Sequence, residues 1–450
     1  MHLALVLATC LATPSSSHNH GPVVIVGVDG MTFDIVDPMV AQGRMPTMAR
    51  LLKQGARAVL RSERPMRSPA LWTTIATGQP RKVHRVYDFV TGSAYWPAAE
   101  RGTEQRLVTS DMRAAPALWQ LAGNAGRRSL VVGWLNTWPA ERLNGIMVAP
   151  YVALGERRQT SIKGKIYERA PKQAYPTDVV AFVEPLIMAP EEVPQKLVDG
   201  IVDSPPTGSN LYRELPKLKR YLYTVRWSIA GAVTNVAIIE DLLLRQPDTE
   251  LVMTYFDGAD TLAHRFWIMR ESEARIRERL AAHNLNPKLA TELKARLGNA
   301  VEGYYELFDN LLARMLKAAG PEATVIVISD HGWGTSPGPR ATHGSVPFDG
   351  EHRMEGIFVA AGPHIKAGFY APLTQYDIAP TTLYLLNTGV PQAMPGRVAT
   401  EIINDEFARE HPPMVLAEKK PQTPTPESTR SAAPFEDTEL ERLRSLGYVN

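Results

Sequence analysis

The sequence predicts an α/β chain: a mostly parallel β-sheet sandwiched between helices, with an inserted cap. Three observations predict it. Short, β-branched apolar runs recur at 23–28 (VVIVGV), 130–134 (LVVGW), 250–256 (ELVMTYF), 324–329 (TVIVIS) and 356–362 (GIFVAAG), each with the length and composition of a strand buried on both faces. Helical patterns lie between them, and strand–helix alternation favours a parallel sheet covered on both sides. The 450 residues, 44% hydrophobic and 21% charged, suffice for one large α/β domain with an insertion, or for two or three ordinary domains.

Taken in order, residues 1–20 are signal-like. The apolar run 3–12 (LALVLATCLA) is followed by Pro14-Ser15-Ser16-Ser17, and the expectation is export to a periplasmic or extracellular compartment. No Lys or Arg precedes the run, so the charged leader is weak. A lipoprotein reading at Cys10 is the second option, although the segment before the cysteine is very short. Cys10 is the only cysteine, which excludes disulfide frameworks, thiolate zinc clusters and iron–sulfur chemistry. Any metal must be held by His, Asp and Glu. No later run reaches the roughly 18 apolar residues of a membrane span.

The first part of the core covers 22–150. Its strand 23–28 ends at Asp29-Gly30, and helices are expected around 33–42 and 46–55, the second opened by Pro46. Residues 151–222, rich in Pro, Lys and Glu without a strong strand signal, read as the cap. The core resumes over 223–405, interrupted at 270–318 by a charged helical insertion expected to form two helices, its Arg/Glu alternation a solvated face without function. Residues 411–434, dense in Pro, Thr and Ser, read as a flexible linker, and 435–450 as an amphipathic helix docking back. The net charge, 49 − 47 = +2, excludes dedicated nucleic-acid binding. Oligomeric state is not legible.

In sheets of this class ligands sit beyond the carboxyl ends of the strands. Those ends carry Asp29, the segment Asp257-Gly-Ala-Asp260-Thr-Leu-Ala-His264, the pair Asp330-His331, and Glu351-His352. Asp260 and His264, four apart, share one face of a starting helix. Three Asp and three His suffice for two adjacent divalent ions, and an all-N/O set with three imidazoles favours zinc, with manganese open. Each signal has an ordinary reading too. An Asp-Gly after a strand is usually a turn, and Asp260 and His264 alone would be a helix-start carboxylate and a surface histidine. Asp330-His331 after a β-branched run has no evident structural task.

The order Asp, Asp-x-x-x-His, Asp-His, His resembles the alkaline phosphatase superfamily, in its type I phosphodiesterase/nucleotide pyrophosphatase branch, over roughly 22–400. The resemblance implies two metal ions, commonly zinc, flanking a Ser or Thr nucleophile in a segment ending Thr-Gly. Here that segment is Arg67-Ser68-Pro69-Ala70-Leu71-Trp72-Thr73-Thr74-Ile75-Ala76-Thr77-Gly78, followed by Pro80 and His84. The family's spacing implies Ser68 as nucleophile and metal ligand, with Thr73 and Thr74 as fallbacks. It further implies that Asp29, Asp330 and His331 hold the ion activating Ser68, and Asp260, His264 and His352 the other. His343 competes with His352, and Asp257 with Asp260. Asn136 and Trp138 in Gly133-Trp134-Leu135-Asn136-Thr137-Trp138-Pro139-Ala140, like the stretch Asp377–Leu383, read as structural first, with Asn136 and Trp138 as possible pocket lining.

Coordination is what a serine needs to ionise near neutral pH, and the helix starting near Pro69 is expected to aim its N–H groups at a phosphate. Nucleotide pyrophosphatases of the family carry Thr-Phe-Pro-Asn-His at the nucleophile, whereas this chain has Ser-Pro-Ala-Leu-Trp, which lacks that Asn and puts nucleotide specificity in doubt. Arg67 and Arg340 are candidate phosphate clamps, with surface solvation the expected fate. The leading expectation is a metal-dependent phosphodiesterase or pyrophosphatase working on a phosphate ester through a phospho-serine. A phosphomonoesterase or phosphoryl transferase on the same site is the alternative, and a catalytically silent binding module the second. A sulfatase is disfavoured, because Ser68-Pro69-Ala70 does not supply the C/S-x-P-x-R signature.

Overall fold

The computed structural model describes residues 21–101, 107–150, 173–338 and 347–417. The signal-like segment, the linker beyond 417, the 435–450 helix and the first 22 residues of the expected cap lie outside the described residues. The β-branched runs form strands β1 (Val23–Val28), β3 (Ser129–Val132), β6 (Leu251–Phe256), β7 (Thr324–Ile328) and β10 (Glu355–Ala361) of a ten-stranded sheet. Its remaining strands are β2 (Ala56–Arg61), β4 (Gly145–Val148), β5 (Ala174–Tyr175), β11 (Gly368–Phe369) and β12 (Leu373–Thr374). The order is β11-β2-β10-β7-β1-β6-β3-β4-β5, with β12 also on β2. The sheet is parallel apart from β10, antiparallel to both β7 and β2, and β5, antiparallel to β4.

The double covering follows from the period of two along each strand. Val24, Val26 and Val28 of β1 enter one core, while Val23 and Ile25 enter the other. β7 divides likewise, Val325 and Val327 against Ile326 and Ile328. The first core is closed by the helices Phe33–Ala41, Pro46–Gln54, Leu218–Arg245 and Ala300–Ala319, the second by Ser68–Thr77, Leu118–Asn124 and Ile378–Leu385.

Several expectations are corrected. The 270–318 insertion forms three helices, Glu273–Ala282, Ala290–Leu297 and Ala300–Ala319, because the turns at Asn284–Pro287 and at Gly298 divide it twice. The described part of 151–222 adds an edge strand, β5, and binds the long Leu218–Arg245 helix through the Tyr223 hydroxyl to Glu191 and the Arg226 guanidinium to the Val193 carbonyl. That helix is long and apolar enough to cross a membrane by length and composition, contrary to the sequence reading. Two-thirds of its apolar window is buried inside the protein, as a core helix requires. Within 411–417 a short strand β14 (Val415–Leu416) pairs with β13 (Val390–Pro391), so the linker's first residues are held to the core.

Candidate metal centre

In the sheet, β7, β1 and β6 are neighbours, so three parallel carboxyl ends meet at one point. Asp29 leaves β1 there, and its carbonyl accepts the Asp260 N–H at 3.0 Å, which fastens the start of the Gly258–Phe266 helix to β1. Asp330 and His331 follow β7. His352 arrives on the hairpin of β8 (Gly332–Gly334) and β9 (Glu351–Arg353), whose register sets it opposite Trp333. The turn at Gly30 needs glycine: its φ is +68°, and a Cβ would collide with the Trp333 indole.

The candidate donor atoms converge. His331 Nε2 stands 3.3 Å from Asp29 Oδ1 and 3.7 Å from both Asp330 Oδ2 and Asp260 Oδ1. His352 Nε2 is 3.4 Å from Asp260 Oδ1 and 3.4 Å from His264 Nε2, which is itself 3.5 Å from Asp260 Oδ2. Atoms about 2.1 Å from one tetrahedral ion stand roughly 3.4 Å apart, so these spacings fit ligands facing a common cation. Two groups emerge, Asp29–Asp330–His331 and Asp260–His331–His352, with His331 on the border and His264 beside the second. The sequence-based division had assigned His331 to the first ion alone.

Asp29 Oδ1, Asp330 Oδ2 and His331 Nε2 are fully buried and make no well-formed hydrogen bond, only the ion-pair contacts of 3.3–3.7 Å. Such orphans are costly unless something else meets them, and three at one point are what a divalent cation would satisfy. The electrostatics agree. Burial, and then the Asp29 carboxylate, push the Asp330 carboxyl well above its ordinary value. Burial opposes a proton on His331, yet Asp330, Asp29 and Asp260 together hold it up at about 10. On His264 burial is likewise outweighed by Asp349 and Asp260, and its pKa is raised. A bound cation would reverse this balance by replacing those protons.

Neighbours aim the ligands. Tyr255 Oη and Trp72 Nε1 both donate to Asp29 Oδ2, at 2.7 and 3.2 Å, which leaves Oδ1 for the centre. Trp333 Nε1 donates to Asp260 Oδ1 at 3.1 Å. His331 Nδ1 donates to the Gly332 carbonyl at 3.2 Å, directing Nε2 inward. Sequence reasoning missed Tyr255, Trp333 and Asp349, whose residue types and spacing carry no metal signature.

Ser68 is the first residue of the Ser68–Thr77 helix and is buried. It lies one turn before Trp72, the donor to Asp29, on the same helix face. The expectation for that helix start is corrected: Pro69 has no N–H, and those of Ala70 and Leu71 already bond the Arg67 carbonyl, leaving the Ser68 amide alone outside the helix's own bonding. Thr73 Oγ1 donates to the Pro69 carbonyl, and Thr74 Oγ1 pairs with His84 Nε2. Asn136, in the left-handed conformation at φ 61°, donates to Pro69 O at 3.0 Å and so braces the Ser68–Thr77 helix; Trp138 is buried. Asp257 accepts from Thr261 Oγ1 and stands outside both ligand groups.

Arg67 is not solvated as expected: it is largely buried, ion-paired with Asp88 at 2.6 Å and packed over Phe89 and Tyr95. The Arg/Glu helix is also not merely a solvated face. Arg279 is buried and donates to the Asp349 and Pro347 carbonyls, and Arg275 donates to those of Ser336, Pro337 and Gly338. Arg340 and His343 lie outside the described residues.

A family model, type I phosphodiesterase/nucleotide pyrophosphatase, matches residues 23–376. No curated protein sequence matches the chain. Among solved structures it is similar to phosphonoacetate hydrolase from Sinorhizobium meliloti, at 18% identity over 70% of this chain with a TM-score of 0.41. The chain spans only 57% of that protein. It is also similar to human and murine ectonucleotide pyrophosphatase/phosphodiesterase 5, at 13% and 12% identity over 85% of this chain and 100% of theirs, with TM-scores of 0.47 and 0.45.

Proposed function

The chain belongs to the type I phosphodiesterase/nucleotide pyrophosphatase family, and we propose that it hydrolyses phosphate diesters or pyrophosphates through a phospho-serine on Ser68. The observation that carries this reading is the trio of buried atoms without a well-formed hydrogen bond, Asp29 Oδ1, Asp330 Oδ2 and His331 Nε2, facing one another at the strand ends. In this reading Asp29, Asp330, His331 and Ser68 hold one divalent ion, and Asp260, His264 and His352 a second, both zinc by the chemistry of the donors. When bound, such ions ionise a hydroxyl at neutral pH and offset the charge of phosphoryl oxygens.

The chain's own residues do the rest. Ser68 gives its hydroxyl proton to solvent and its Oγ bonds to phosphorus as the P–O bond to the leaving group breaks, the departing oxygen taking a proton from solvent; water then attacks phosphorus, the Oγ–P bond breaks, and Oγ regains a proton as the phosphate is released. Asn136 and Trp72 fix the helix bearing Ser68, while Tyr255 and Trp333 fix the carboxylates. The ion pair of Arg67 with Asp88 weakens its case as a clamp for a phosphate dianion and favours the diester over the monoester reading. Export, proposed from the 3–12 run, is checked by cell fractionation.

The test assays zinc-loaded protein beside a chelator-stripped control on a chromogenic phosphodiester and the matching monoester. Chelator-sensitive turnover favouring the diester is expected. A monoester preference would make the protein a phosphatase on the same site, and inactivity on both would favour the silent binding module. Ser68→Ala should abolish turnover while zinc binding and fold persist; normal turnover would move the nucleophile to Thr73.

A further inference from the structure

Asp349 was no part of the expected site, yet its carboxylate is fully buried beside it, with Oδ1 3.1 Å from His264 Nδ1. A carboxylate can only accept here, so Nδ1 carries a proton and Nε2 is turned toward Asp260 and His352, where its lone pair would face a bound cation. Asp349 is itself held from behind. Arg279, on the helix Glu273–Ala282, donates from Nη1 to its carbonyl at 3.1 Å and to that of Pro347 at 3.4 Å. Next in the chain, Gly350 packs so closely on Trp267 that a Cβ would collide with the indole. The backbone of Asp349 is thus fixed where its carboxylate meets His264.

We propose that Asp349 is a positioning residue that sets the tautomer and ring orientation of His264, and that Arg279 supports it through the backbone. The inference rests on the reading above that Asp260, His264 and His352 hold a cation. It adds an asymmetry: Asp349 serves one ion position, whereas at the other Asp29 is oriented by Tyr255 and Trp72, Asp330 by the Gly30 N–H and His331 by the Gly332 carbonyl. Loss of such an outer partner ordinarily weakens metal affinity 10–100-fold.

The experiment is zinc binding to the full chain, stripped by chelator and titrated against a chromophoric competitor, with bound zinc counted by elemental analysis after desalting. Wild type should bind two zinc ions per chain. Asp349→Ala should weaken one site by roughly 10–100-fold and leave the other within a few-fold. Asp349→Asn, whose Oδ1 can still accept from Nδ1, should recover most of that loss and guards against an Ala variant that fails to fold. Arg279→Met should weaken the same site by a smaller factor. Unchanged binding in Asp349→Ala, equal loss at both sites, or an Asn variant no better than Ala would overturn the proposal. Wild type that binds no zinc would instead overturn the two-ion reading on which it rests.

Discussion

His84 should set a measurable acid limb on the stability of this protein. It is fully buried just beyond the Ser68–Thr77 helix, and both ring nitrogens are engaged as in a neutral imidazole. Nδ1 accepts the Val86 N–H at 3.1 Å, so Nε2 carries the proton and donates to Thr74 Oγ1 at 3.0 Å. Burial, followed by the charges of Arg81 and Arg113, lowers its pKa from 6.5 to about 3. Well above pH 6.5 the residue is neutral folded or unfolded and contributes no pH dependence. Between 6.5 and about 3 only the unfolded chain takes up the proton, so stability falls as pH falls, by about 1.4 kcal/mol per unit. Integrated, the loss is about 0.2 kcal/mol at pH 7, about 0.8 at pH 6 and about 2 at pH 5. The perturbation is His84→Gln, which cannot titrate. Urea unfolding of both proteins at pH 5, 6, 7 and 8, with zinc status held equal, gives a difference curve in which the constant cost of the substitution drops out. The variant should gain about 2 kcal/mol relative to wild type between pH 8 and 5. A flat difference would refute the assignment of His84 as a buried neutral group.

Tyr255→Phe removes the 2.7 Å bond to Asp29 Oδ2; zinc affinity at the Asp29–Asp330–His331 position should fall by roughly 10-fold in a competition titration, with little change at the other. Gly30→Ala forces a side chain into a φ of +68° and against Trp333, so a cost on the order of 1–3 kcal/mol and reduced zinc occupancy should appear in denaturant unfolding and elemental analysis. Zinc at 100 times its dissociation constant should stabilise the protein by about 2.7 kcal/mol, a gain read by thermal unfolding and abolished by chelator. In the chelated protein Asp330 holds its proton above the ordinary carboxylate range, so its contribution to stability falls as pH rises above about 4. In unfolding across pH 5–8, chelated wild type should lose stability relative to Asp330→Asn as pH rises, the slopes common to both cancelling in the difference.

Much of the fold and of the candidate donor set is legible because the signals are local. β1, β6 and β7 announce themselves as unbroken apolar runs, being buried on both faces. Asp29 and Asp330-His331 stand out as polar residues where such runs stop, and Asp260 and His264 are joined by one helical turn. β2, reading ARAVLR, escapes because its arginines alternate with apolar residues, and β4 is only four residues long. Asp349 and Arg279 escape for another reason. One lies in a loop and the other in a run of alternating charges, and nothing in either neighbourhood distinguishes a buried partner from a solvated one.

The sequence by itself determined which residues could ligate, since donor chemistry, strand ends and helical spacing depend only on near neighbours in the chain. The tertiary structure decided which of them meet. Sheet order β7-β1-β6 brings Asp29 and Asp330 together across 301 positions of chain. The β8–β9 pairing delivers His352, and packing of the Glu273–Ala282 helix turns Asp349 toward His264. Those contacts are selected by burial and backbone pairing over the whole domain, and no local window of sequence contains the energy that selects them.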